Sequence, residues 1–157
     1  MSFTDPMGLA VYVVCHVAAS PLGYVTSPTS FHCAIDIVPD NPAISTLTIG
    51  GQPSDGNLVY RPNYSGDSEC HAQTKTLVQT PNGLTDNQFI INLIQAAASY
   101  NNNLPYSFPT NINGAMPPGT YNSNSVVSGV INAAGGTPPS LPVSTPGYGN
   151  PIPLGGH

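Results

Sequence analysis

Charge is what this sequence has least of. Of its 157 residues two are basic (Arg61 and Lys75) and seven are acidic, which gives a formal net charge of −5. Charged residues make up 6% of the chain, whereas ordinary soluble domains contain about 25%. A chain with two cations has no basic surface for nucleic-acid phosphates or for an anionic membrane. We therefore exclude nucleic-acid binding and polybasic membrane binding.

Long apolar runs are also missing. No run approaches the roughly 20 residues that a transmembrane helix needs. Residues 9–19 are apolar, but they are interrupted by His16 and lack a preceding basic region, so we do not interpret them as a signal peptide. The length fits one domain.

Cysteine is scarce and odd in number. Cys15, Cys33 and Cys70 are too few for a disulfide framework. We expect buried free thiols, with one bridge between Cys15 and Cys33 as the alternative, since both lie on segments that can pair as strands. The chain has no Cys-x-x-Cys or His-x-x-x-His spacing, and Cys70 and His71 form a lone adjacent pair. We therefore predict no metal site and no cofactor.

Glycine and proline are abundant instead. The 16 glycines and 18 prolines concentrate in residues 104–120 and after residue 135. This distribution separates a Pro/Gly-rich tail (136–157) from the rest of the chain. The tail either wraps the domain or stays mobile.

Strand patterns fill the first half of the domain. Residues 10–18 are β-branched and apolar, which predicts a buried strand. Residues 31–38 alternate between an apolar face and a face that carries His32 and Asp36. Two further short strands are expected at 45–51 and 57–61.

Two helices follow the strands. Thr85 and Gln88 have the spacing of a capping box, and an amphipathic stripe follows them. The second helix spans about 123–134, with Asn122 or Ser123 as its N-cap. Strands followed by helices predict an α+β fold, with a small antiparallel sheet packed against two helices.

The first family resemblance lies in Asp5-Pro6-Met7-Gly8-Leu9. This run resembles the DPxGL motif that closes the core of Rhs (YD-repeat) proteins, where the chain is cut and a variable toxin domain follows. The resemblance implies that residues 1–9 are a remnant of the cleavage motif and that residues 10–135 are an antibacterial toxin domain. It also implies secretion from a bacterium, often by type VI secretion, and delivery into a target cell. The implied partners are the parent Rhs shell and a cognate immunity protein. Alternatively, the run is an ordinary Asp-Pro and Gly turn.

The second resemblance lies at the start of the second helix. Tyr121-Asn122-Ser123-Asn124-Ser125-Val126-Val127 resembles the N-C-x-x-F-V nucleophile motif of circularly permuted papain-like proteins, the NlpC and lecithin-retinol-acyltransferase-like group. In that group a histidine at the start of an early strand precedes the nucleophile, and His32 fits this place. The resemblance implies a permuted papain-like fold, with Ser123 standing where the family has cysteine.

The resemblance implies a Ser–His site that cleaves or transfers an acyl group at an amide or ester bond. At a helix N-terminus, unpaired N–H groups can stabilise a developing oxyanion. Ser123 would be the nucleophile and His32 its general base. The alternative is that Ser123 is only a helix cap and that His32 is a half-buried strand residue.

Other residues are candidates for supporting roles. Asp36 lies about 13 Å along the strand from His32, too far to orient it directly, and Thr46 or Thr48 is an equal candidate. Asn122, Ser125 and His16 complete the supporting set.

A different class of function is also open. A non-enzymatic effector would act by binding a protein or by disrupting a membrane, although no amphipathic helix with a basic face supports insertion. A third class is a structural or carbohydrate-binding module.

Overall fold

The computed structural model describes residues 9–17, 30–39, 46–109 and 116–154. Within these ranges the chain forms six strands and two helices. They are β1 (Leu9–Val17), β2 (Phe31–Pro39), β3 (Leu47–Ser54), β4 (Asn57–Pro62), β5 (Thr74–Leu77), α1 (Asp86–Ala98), β6 (Leu104–Pro105) and α2 (Ser123–Ala133). Residues 5–8 of the DPxGL-like motif lie outside the described residues, and Leu9 opens β1.

The strands form one antiparallel sheet in the order β5-β1-β2-β3-β4-β6. The predicted α+β class is confirmed, whereas the permuted papain-like arrangement stays a prediction. The sequence patterns predict no strand or helix in residues 62–83. In the structure these residues contain β5 and two 3₁₀ turns, Ser65–Asp67 and Glu69–His71.

The sheet has an apolar face and a polar face. Cys33, Ile35 and Ile37 belong to the core that the sheet shares with α1 and α2. His32 and Asp36 alternate with them along β2 and point to the other side. The 3₁₀ turns lie over that second side, where Asp67 contacts His32. We call the two sides the helix face and the polar face.

Both helices begin as the sequence predicts. Thr85 caps α1, and the reciprocal hydrogen bonds with Gln88 make a capping box. Asn122 caps α2, whose first nine residues are all buried. Packing therefore compensates for the low helix propensity of its valines and serines. None of the described helices is long and apolar enough to cross a membrane.

The Pro/Gly-rich tail is packed onto the domain through residue 154. Ile152 is a buried member of the core, and its N–H donates to the Ser125 carbonyl at 3.1 Å. The Ser144 carbonyl accepts from the Phe31 N–H at 2.9 Å, which places the tail beside the start of β2. The sequence left open whether the tail wraps the domain or stays mobile. Its described part, through residue 154, wraps the domain.

Cys15 and Cys33 form a disulfide between β1 and β2. The expectation of two free thiols is therefore wrong, and the alternative bridge is present. The two residues face each other directly in the β1–β2 register, so strand pairing alone brings the sulfur atoms within bonding reach. Cys70 remains a free, exposed thiol.

Candidate functional site

Ser123 and His32 lie on opposite faces of the sheet. Gly50 and Gly51 are neighbours in β3 and therefore face opposite sides. A Cβ atom at Gly51 would lie 3.2 Å from the Cα of Ser123. A Cβ atom at Gly50 would instead meet the carboxylate of Asp67, which is hydrogen bonded to His32. Ser123 thus belongs to the helix face and His32 to the polar face.

The structure does not bring the predicted nucleophile and base together. Phe31 and Cys33 contribute to the packing on the helix face, and His32 between them points away from α2. A catalytic hydrogen bond requires about 2.6–3.2 Å between the two groups, and a sheet stands between Ser123 and His32. The two side chains are separated because α2 covers the apolar side of β2, whereas His32 alternates onto the other side.

Ser123 has a structural environment. It is 3% exposed, and its Oγ lies 3.1 Å from the hydroxyl of Tyr106. The neighbouring Asn122 accepts from the N–H of Asn124, and the Oγ of Ser125 accepts from the N–H of Asn122. These contacts belong to the cap of α2, so the supporting candidates Asn122 and Ser125 serve the helix start.

Asn124 continues the hydrogen bonding of β2 beyond the point where its pairing with β3 ends, at Ile35 and Ile49. Its side chain accepts from the Cys33 N–H at 2.8 Å and donates to the Phe31 carbonyl at 2.8 Å. The amide thus satisfies two strand groups that no neighbouring strand reaches within the described residues. Sequence reasoning did not assign this role, which ties α2 to β2.

His16, His32 and Asp67 converge on the polar face in a cluster that we call the His/Asp centre. The β1–β2 register places His16 opposite His32, with ring centroids 5.0 Å apart. The Nε2 of His32 lies 2.7 Å from the Oδ1 of Asp67. One ring nitrogen of each histidine and one carboxylate oxygen lie within 4.8 Å of one another.

The His/Asp centre is buried at Asp67 and partly open at His32. The side chain of Asp67 is fully buried, whereas that of His32 is 13% exposed. The Oδ2 of Asp67 and the Nε2 of His16 are buried, and neither has a hydrogen-bond partner within the described chain. Buried polar atoms are usually hydrogen bonded. In this cluster the Oδ2 of Asp67 lies against Gly50 of β3, whereas the Nε2 of His16 is the unpaired atom that a ligand could bind.

Electrostatics favours the neutral form of His16. Burial lowers the pKa of His16, and the charge of His32 lowers it further, while Asp67 acts in the opposite direction. A neutral imidazole has one nitrogen free to accept a proton or to bind a metal. His16 was predicted as a supporting residue, and the structure places it directly in the centre.

Asp36 is on the polar face but does not orient His32. Both of its carboxylate oxygens are buried without a hydrogen-bond partner in the described chain. Burial raises the pKa of Asp36 to about 6, with a further increase from Glu69 and an opposing effect of Lys75. The orienting carboxylate is Asp67, which sequence reasoning missed.

The signal for Asp67 is weak in the sequence. It lies in a polar segment without periodicity, 35 residues after His32. The two other orienting candidates do not contact His32 either. Thr48 donates its N–H to Asn63, and its hydroxyl has no partner among the described residues; Thr46 is exposed. Gly50 lies within β3, in the strand predicted at 45–51, and leaves the space that Asp67 occupies.

Comparisons with protein-family models, curated proteins and solved structures find no significant match to this chain. The Rhs and papain-like resemblances therefore stay predictions from short motifs.

Proposed function

We propose that this chain is an antibacterial effector toxin domain of the Rhs class that hydrolyses an amide or ester bond at the His/Asp centre. The observation that carries the hydrolytic part is the hydrogen bond of 2.7 Å between His32 and the buried Asp67, next to His16. The DPxGL-like run at residues 5–9 supports delivery as a toxin, by type VI secretion, with an immunity protein as partner.

The centre is suited to the activation of water. A carboxylate hydrogen bonded to one imidazole nitrogen fixes the ring and favours basicity at the other nitrogen. The water oxygen forms a bond to the carbonyl carbon, and the bond from that carbon to the leaving nitrogen or oxygen breaks. The proton lost by the water passes through the centre to the leaving atom. This scheme needs no serine nucleophile.

The disulfide supports an oxidising destination. Disulfides persist in extracellular and periplasmic compartments and are rare in the cytoplasm. The Cys15–Cys33 bridge joins the two strands that carry His16 and His32. We therefore propose that the toxin acts in the periplasm of the target cell.

The test is growth of bacteria that express the chain in the periplasm without an immunity protein. We expect growth arrest by the natural sequence, with at least 100-fold fewer survivors than for His32→Gln and Asp67→Asn. Ser123→Ala is the matched control and should remain toxic, since within the described residues its hydroxyl is hydrogen bonded to Tyr106 and lies on the other face of the sheet. Circular dichroism of each purified variant checks its fold.

The other outcomes would contradict the proposal in different ways. Folded His32→Gln and Asp67→Asn proteins that still arrest growth would contradict hydrolysis at the centre and favour an effector that acts by binding a protein. Loss of toxicity in a folded Ser123→Ala protein would restore the serine as nucleophile. A natural sequence without toxicity would exclude the toxin function.

A further inference from the structure

The His/Asp centre presents two imidazoles and one carboxylate, which is a common ligand set for catalytic zinc. Catalytic zinc sites typically have three protein ligands and keep a fourth position for water. The two histidines come from β1 and β2, and Asp67 comes from the 3₁₀ turn that covers the polar face. The absence of a His-x-x-x-His spacing therefore does not count against a metal site here. The antiparallel pairing of β1 and β2 brings the two histidines together although they are not closely spaced in the sequence.

The distances are compatible with one ion. Zinc bonds to nitrogen and oxygen are about 2.0–2.2 Å, so neighbouring ligand atoms of a tetrahedral site lie roughly 3.3 Å apart. The His32–Asp67 pair at 2.7 Å is slightly closer than this, and the whole set lies within 4.8 Å. Zinc binding would therefore lengthen the contact between His32 and Asp67 and shorten the longer distances within the set.

The unpaired Nε2 of His16 is the independent indication of a ligand. The Oδ2 of Asp67, a residue that is 2% exposed, and the Nε2 of His16 are buried without hydrogen-bond partners in the described chain. The Nδ1 of His16 makes a long contact of 3.4 Å to the Val17 carbonyl. A metal-bound histidine commonly donates its other nitrogen to such a carbonyl. This contact leaves Nε2 as the metal-binding atom.

We infer that His16, His32 and Asp67 bind a divalent transition-metal ion of the zinc class, with water in the open fourth position. The inference rests on the proposed function and deepens it, because a zinc-bound water has a pKa of about 7 and supplies the nucleophile for hydrolysis. With the ion bound, the Nε2 of His32 would bind the metal in place of its hydrogen bond to Asp67, and the metal-bound water would replace the water that this pair activates. The partial exposure of His32 leaves a route by which water and substrate reach the ion.

The test is metal binding by the purified, oxidised chain after removal of metal with EDTA. We expect one Zn²⁺ per chain by calorimetry, and a visible absorption band of tetrahedral geometry with Co²⁺. His16→Gln and Asp67→Asn should each weaken Zn²⁺ binding at least about 100-fold. The matched control is His71→Gln, since His71 is exposed and outside the centre; it should bind as the natural chain does.

A second measurement does not depend on the folding of variants. In ¹H–¹⁵N spectra of the histidine side chains of the natural chain, Zn²⁺ should shift the resonances of His16 and His32 far more than that of His71. Absence of binding, or binding that His71→Gln abolishes and Asp67→Asn does not change, would overturn the inference.

Activity separates this inference from the proposed function. An EDTA-treated chain that binds no Zn²⁺ but still hydrolyses cell-envelope material would refute the metal site and leave hydrolysis at the centre standing. The opposite result is a chain that binds one Zn²⁺ through these residues but has no effect on growth when it is expressed. That result would support the metal site and refute the proposed toxin function.

Discussion

At the scale of single residues, Asp36 is a carboxylic acid enclosed by the polar face without an ion pair. It is 1% exposed, and burial raises its pKa to about 6. The ionised form is therefore less stable in the folded chain than in water. Because the pKa in the unfolded chain is near 3.8, folding favours the protonated acid between these two values. Asp36 should thus stabilise the fold less as the pH rises through about 4 to 6.

We predict that Asp36→Asn makes the chain more stable at neutral pH. Asparagine has the same shape and carries no charge, so the variant escapes the cost of a buried carboxylate. The gain in free energy of unfolding over the natural chain should be small at pH 4 and on the order of 2 kcal/mol at pH 7. Urea unfolding at both pH values measures it, with the exposed Asp55→Asn as the control. A gain independent of pH would contradict the assignment.

Residue patterns alone predicted part of the candidate site. The alternation in β2 correctly separated His32 and Asp36 from the apolar side chains. It could not say that α2 would cover the apolar side, and this decided that His32 does not meet Ser123. The position of Asp67 depends on a turn without periodicity, so only the folded chain reveals it.

At the scale of elements, β3 packs against a different neighbour on each of its faces, and an adjacent pair of glycines makes both contacts possible. On the helix face, a Cβ at Gly51 would lie 2.7 Å from Val126 and close to the backbone of Ser123. On the polar face, a Cβ at Gly50 would meet only the end of the Asp67 side chain and, at 3.4 Å, the Cβ of Ala34. A side chain at Gly51 would therefore disturb the packing of α2, whereas a side chain at Gly50 would displace the Asp67 carboxylate.

We predict that alanine at these two positions has separable effects. Gly51→Ala should lower the free energy of unfolding by about 1–3 kcal/mol, the usual cost of overpacking. Gly50→Ala should cost less, because a flexible side chain can move aside, but it should displace Asp67 and weaken Zn²⁺ binding at least tenfold. Urea unfolding and calorimetry measure the two effects. If Gly51→Ala weakens Zn²⁺ binding more than Gly50→Ala does, the two faces are not independent.

The elements that were predictable are those with local signals. The Thr85 capping box located the start of α1 within one residue, and β-branched runs located β1 and β2. β5 was missed because its residues Thr74–Leu77 include polar side chains and pair only with β1 at the edge of the sheet. Short edge strands have little periodicity to read.

At the scale of the whole molecule, the tail completes the core. Gly129 in α2 leaves room for Ile152, since a Cβ there would lie 2.8 Å from the Ile152 backbone. Asn122 and Asn124 donate to the Pro146 carbonyl at 2.8 and 3.0 Å. The described part of residues 136–154 is therefore a structural component of the domain, and a boundary at residue 135 would remove part of the core.

We predict that Ile152→Ala destabilises the whole domain. Truncation of a buried isoleucine costs about 2–5 kcal/mol, and the loss should lower the single unfolding transition. Thermal unfolding followed by circular dichroism measures it. Ile91→Ala, at an isoleucine that is 46% exposed, is the matched control and should cost under about 1 kcal/mol. Equal effects of the two substitutions would mean that the tail does not stabilise the core.

The disulfide has a consequence for how the strand ends move. His16 and His32 lie one position beyond Cys15 and Cys33, near the end of β1 and the beginning of β2. Strand ends commonly fray, and the groups there exchange their amide hydrogens fastest. The disulfide joins the residue pair adjacent to His16 and His32, so it limits this opening to the last residues of each strand. The His/Asp centre thus keeps its spacing through native fluctuations that would otherwise separate the two histidines.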